Sequence, residues 1–163
     1  MIKLKDILTE AEKDMRVGLD YLKSIQSDEP FNTSQPLYHL ILRQNLDKVM
    51  KEGLKPSQPK SSTHKGVLKG ELFSGVWLSS LDDVDSIVDV HMLPRNYSWE
   101  GVVLQIDGNG LDPNLFNIGI EIPLRLMTKV RNGEKISRND YYKQSDEIVY
   151  LGNIPPNKIE VIS

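Results

Sequence analysis

An α+β fold is what this sequence predicts, on two observations: strand-like runs outnumber helical ones after residue 36, and they are not spaced as regular strand-helix-strand units. The 163 residues suit one hydrophobic core. An apolar share of 39% and a charged share of 26% exclude wholesale disorder and fibrous architectures. No internal repeat is present.

The elements follow in order. Thr9 and Glu12 have capping-box spacing, and Ala11, Met15, Leu19, Leu22 and Ile25 recur at helical intervals, predicting an amphipathic helix that ends by Pro30. The polar stretch Ser27 to Pro36 reads as a connector, so residues 1–33 are expected to be a helical extension with its linker and residues 34–163 the main domain. Leu37 to Leu42 is an apolar run broken only by His39, the pattern of a strand buried on both faces. A helix is expected next, with Asn45 as its cap, Leu46, Val49 and Met50 on one face, and Gly53 with Pro56 as its stop. Pro56 to Gly70 reads as a loop. Gly75 to Leu78 predicts a strand, and Ser80 with Asp83 begins a capped helix in which Val84, Ile87 and Val88 point inward. Val102 to Ile106 is a further strand, running into the turn Asp107-Gly108-Asn109-Gly110. Ile118 to Met127, Glu147 to Leu151 and Ile159 to Ile162 complete the expected strands, with Pro155-Pro156 forcing a bend.

Charge and composition narrow the function classes. A net charge of −3 argues against affinity won by blanketing phosphates, although Arg125 to Lys143, with Lys129, Arg131, Lys135 and Arg138, reads as either a solvated loop or a local basic surface. With no cysteine, disulfides, zinc thiolates and thiol nucleophiles are excluded. His39, His64 and His91 lack any metal-binding spacing, and Asp107 to Asp112 lacks the glutamate of a calcium loop, so no metal is expected. The opening Met1 to Asp6 places acid and base in the first turn, and neither a signal peptide nor a membrane span is expected; the expectation is a cytoplasmic protein. That opening also resembles the start of many small open reading frames of large tailed bacteriophages, which implies host cytoplasm.

Three segments carry a resemblance. Leu37-Tyr38-His39-Leu40 precedes a helix ending in Glu52-Gly53-Leu54; Gly75-Val76-Trp77-Leu78-Ser79 is a glycine-hydrophobic-aromatic strand before a helix; Asp146-Glu147-Ile148-Val149-Tyr150 is a late strand led by an acid. In this order they resemble the ADP-ribosyltransferase superfamily of the His-Tyr-Glu type, in its small bacterial or bacteriophage form. The resemblance runs from Leu37 to the C-terminus, including Gly152 to Ile159. It implies a split, mixed β-sheet core with flanking helices and NAD as substrate. It also implies transfer of ADP-ribose to a macromolecular acceptor, protein or nucleic acid, with NAD glycohydrolysis as a side reaction. Glu147 would be the catalytic carboxylate, steadying an oxocarbenium-like sugar. His39 would bind the adenosine ribose, Leu40 would clamp the nicotinamide carboxamide through its backbone, Trp77 would wall the nicotinamide side, and Arg43 would meet a phosphate.

This chain departs from that pattern at Trp77, which lacks the hydroxyl of the family's Tyr; at Ile41, where many relatives carry Thr or Ser; and at Ser145, where arginine- or asparagine-directed toxins place Glu or Gln. Bland readings stand beside each assignment. His39 fits a hydrogen-bonded core histidine, Trp77 plain core, Glu147 an exposed acid and Arg43 a surface cation. A non-catalytic binding module on the same scaffold and an RNA 2′-phosphotransferase-like enzyme are the alternatives. The latter needs several arginines around a phosphate, which have no place here. Acceptor choice is expected to reside in Gln58 to Ser74 and Lys129 to Ser145.

Overall fold

The apolar run Leu37–Leu42 forms the expected strand, β1, with Leu37 and Ile41 buried. The computed structural model describes residues 19–57, 74–84, 101–119 and 122–162. Within them β2 (Val76–Ser79), β3 (Gly101–Ile106), β4 (Phe116–Asn117), β5 (Glu147–Tyr150) and β6 (Ile159–Val161) join β1 in one six-stranded sheet of order β4-β5-β2-β1-β3-β6. The helices are α1 (Leu19–Ile25), α2 (Leu46–Glu52), α3 (Leu124–Arg131) and α4 (Arg138–Ser145), with a helical turn at residues 81–84. The architecture is α+β. Every strand pairing among the described residues is antiparallel, so the mixed sheet expected from sequence is corrected to an antiparallel one.

Pairing is uneven across the sheet. β1 and β3 match from Leu37↔Ile106 to Leu42↔Gly101, and β2 and β5 match from Val76↔Tyr150 to Ser79↔Glu147. β1 meets β2 only at Tyr38↔Ser79. The halves β4-β5-β2 and β1-β3-β6 therefore share a single ladder pair, the shortest stretch of strand pairing between neighbours in the sheet.

Period-two alternation builds the core. Leu37, Ile106, Leu104, Val102, Leu78, Val76, Ile148, Tyr150 and Phe116 share one face through direct cross-strand partnership, and all are buried. Each such side chain contributes about 1.5–3 kcal/mol by leaving water. Leu22 of α1 and Phe31 of the connector lie in this same core, and Gln26 bonds Asn117 beneath them. The rest of the helix expected from Thr9, the loop beyond residue 57, Ile87, Val88, His64 and His91 lie outside the described residues.

Two expectations are overturned by side-chain spacing. Where a strand is expected up to Met127, Leu124–Arg131 is helix α3, because Leu126 and Val130 stack one turn apart on its inward face and Pro123 sits just ahead of it, where no N–H is needed. The strand in this region is Phe116–Asn117, anchored by Phe116↔Tyr150. The basic segment Arg125 to Lys143 is largely helical rather than a loop. Ser137 caps α4 by accepting from the N–H groups of Asn139 and Asp140. Its cations are partly committed: Arg138 donates to the Gln26 side chain and to Glu29 O, and Lys135 to Ser24 O. Smaller corrections concern α2. Asn45 belongs to a 3-10 turn and makes no side-chain cap, and Met50 is 38% exposed while Val49 is buried. The expected turn after β3 is present, with Asn109 N–H donating to Asp107 Oδ1 and Gly110 at φ +86. No helix among the described residues is long and apolar enough to cross a membrane.

Candidate active site around Glu147

Glu147 owes its position to the chain reversal before it. Asp146 caps α4 in the left-handed conformation, φ 56, and its N–H donates to Tyr142 O while its carbonyl accepts from Ser80 N–H at 2.9 Å. Ser145 Oγ lies 2.8 Å from Tyr141 O and accepts from Glu147 N–H at 3.3 Å. The acid thus enters β5 with its backbone tied to α4 on one side and to Ser79 of β2 on the other. A β-branched residue fits the left-handed conformation poorly, so Asp146→Val is expected to cost about 1–2 kcal/mol in urea unfolding. Asp146→Gly is expected to be tolerated; equal losses in the two variants would show that the backbone conformation is not the cause.

The carboxylate of Glu147, half-buried, lines a cavity of about 410 Å³ together with Ile122, Pro123, Leu124, Tyr141 and Ser145. That volume lies within the range of small-molecule pockets. Leu124 at its rim is 86% exposed. Beneath the acid, Gly119 is buried, and Tyr141 Oη, Glu147 Oε1 and Trp77 Cζ3 lie 2.6, 2.7 and 3.4 Å from the point its absent Cβ would occupy. A carboxylate, a phenol and an indole therefore converge on one patch of bare backbone.

Register decides which other residues share that surface. Ser79 pairs with both Glu147 and Tyr38, so these three lie in one row on one face, and Glu147 and Tyr38 are about 10 Å apart at two strand spacings. Trp77, two residues before Ser79, is on the same face. His39 follows Tyr38 and leaves β1 on the other side by alternation, yet its imidazole reaches across the narrow β1–β2 junction to Trp77 O at 2.6 Å. A carbonyl only accepts, so Nδ1 carries the proton and donates, leaving Nε2 as an acceptor when the ring is neutral. Burial pushes the His39 imidazole below its ordinary value, and the bond to Trp77, acting the other way, offsets this only in part.

That shift has a sign. In the unfolded chain the ring titrates near 6.5, so as pH falls the unfolded state takes up its proton first. The contribution of neutral His39 is full above about 6.5 and is lost as pH falls through the lower folded value. The melting temperature is expected to drop from pH 7 to pH 5, and less steeply in His39→Asn, whose amide still donates but does not titrate. An identical drop in both proteins would remove His39 from the explanation.

Of the residues singled out from sequence, Glu147 and Trp77 meet over Gly119, and His39 is joined to the Trp77 backbone; of these three Glu147 alone lines the cavity. Leu40 is half-buried on the Tyr38 side of β1, and Arg43 is exposed in the turn after β1. Gly119, Tyr141, Ser79 and Tyr38 carry no site assignment from the sequence, whereas Ser145 stands out there as a departure from the family pattern. A bare glycine and a tyrosine in a mostly polar helix carry no periodic signal, while Tyr38 and Ser79 flank the residues that drew attention.

No family model matches the chain, and no curated protein is matched by it. Among solved structures it is similar to EcPltA at a TM-score of 0.47, with 13% sequence identity, covering 77% of this chain and 73% of that chain. A likeness of that extent decides nothing about chemistry.

Proposed function

We propose that this chain is an NAD-dependent mono-ADP-ribosyltransferase acting on a macromolecular acceptor, with NAD hydrolysis as the side reaction. The observation that carries the reading is Glu147, a carboxylate open to a cavity and set beside the Trp77 indole over Gly119. Breaking the bond between nicotinamide and ribose develops positive charge on the sugar. A fixed carboxylate stabilises that charge and accepts from a ribose hydroxyl, an interaction stronger in the transition state than in the ground state. The Trp77 ring, beside Glu147 over Gly119, would offer a flat apolar surface to nicotinamide. His39 Nε2 is an acceptor of the kind a hydroxyl of the adenosine ribose needs, and the single-pair junction beside it is where a split core would open. The Leu40 backbone would clamp the carboxamide and Arg43 would meet a phosphate.

One observation favours a second reading, a nucleotide- or protein-binding module without turnover: neither His39 nor Trp77 lines the cavity that Glu147 lines. Incubation with NAD while following free nicotinamide, alongside calorimetric titration of NAD, separates them. Nicotinamide released above the buffer rate supports the transferase. Binding without release supports the module, and neither binding nor release sinks both.

A further inference from the structure

Gly119 carries no side chain at the one place where Tyr141, Glu147 and Trp77 crowd together. A Cβ there would stand 2.6 Å from Tyr141 Oη and 2.7 Å from Glu147 Oε1, closer than side-chain atoms pack, so both groups would have to give way. They are not equally movable. Tyr141 is 1% exposed on α4, where its N–H donates to Ser137 O and its carbonyl meets Ser145 Oγ. Glu147 is half-buried in the cavity wall, and its carboxylate ends a chain of rotatable bonds. Anything added at position 119 therefore displaces the carboxylate as well as the phenol, the carboxylate the more easily.

We propose that Gly119 and Tyr141 are positioning residues for Glu147. The glycine leaves the room that the carboxylate occupies, and the phenol is the rigid polar neighbour against which Oε1 is set. The claim rests on the reading of Glu147 as the group that meets the reacting sugar, and its consequence is a cavity whose acid is held by two residues that need not touch substrate. A misplacement of about 1 Å costs up to about 100-fold in rate even when binding is unchanged.

The test uses protein labelled with 13C at the glutamate side-chain carboxyls, the Glu147 signal being identified by its loss in Glu147→Gln. In Tyr141→Phe, which keeps the ring and its packing, the Glu147 signal is expected to move while the other glutamate signals stay. In Gly119→Ala the same signal is expected to move. With NAD as substrate, kcat for nicotinamide release is expected to fall about 10- to 100-fold in both variants, with KM within about twofold. A Glu147 signal unmoved in both variants overturns the proposal, as does a moved signal with kcat unchanged. Should the unmodified protein release no nicotinamide, the transferase reading falls on that result, and the carboxyl signal alone decides for or against Gly119 and Tyr141.

Discussion

Glu147→Gln is expected to lower nicotinamide release from NAD by about 100- to 1000-fold, the scale set by removing one preorganised electrostatic partner from a transition state. Glutamine keeps the shape of the side chain and its reach into the cavity, but it removes the negative charge that an oxocarbenium-like sugar requires. KM for NAD is expected to change little, because the lost interaction belongs to the transition state. The melting temperature is expected to hold as well: the side chain is half-exposed, and β5 is kept in place by backbone pairing with Ser79. Turnover equal to that of the unmodified protein would remove Glu147 from the chemistry, whatever else binds in the cavity.

Phe116→Ala is expected to damage the fold by about 3–5 kcal/mol in denaturant unfolding. Its ring is fully buried, stacked on Phe31 with centroids 4.5 Å apart and tilted against Tyr150 at 4.8 Å. Removal would leave a cavity where the connector, β4 and β5 meet. Domains of this size are stable by about 5–15 kcal/mol, so the loss is a large share of the total. The effect would reach the site, since β4 borders the strand that begins with Glu147 and leads directly to Gly119. A loss below about 1 kcal/mol would show that Phe116 is not the anchor its contacts imply.

Much of the sheet is legible in the sequence because a short apolar run between turn residues is a local property. Leu37–Leu42, Val102 to Ile106, Glu147 to Leu151 and Ile159 to Ile162 each declare themselves in a handful of residues, and the strands form at those places. The helix at Leu124–Arg131 is hidden by the same logic: its apolar residues are close enough together to pass for a buried strand, and only packing one turn apart separates the two cases. Phe116–Asn117 is too short to announce itself, and it exists because Tyr150 and Val149 lie opposite. At the candidate site, His39, Trp77 and Glu147 are conspicuous as polar or aromatic residues in apolar strands. Tyr141 and Gly119 are not conspicuous at all, since one lies in a mostly polar helix and the other contributes only an absence of atoms.

By itself the sequence determined the α+β class and the places of most strands, because propensity and period act within a few residues. Tertiary structure alone decided that the sheet is antiparallel, that its halves meet at Tyr38↔Ser79, and that a phenol, an indole and a carboxylate share the space over Gly119. Those outcomes depend on which distant segments pair and in what register, and a one-residue slip would turn Glu147 to the opposite face.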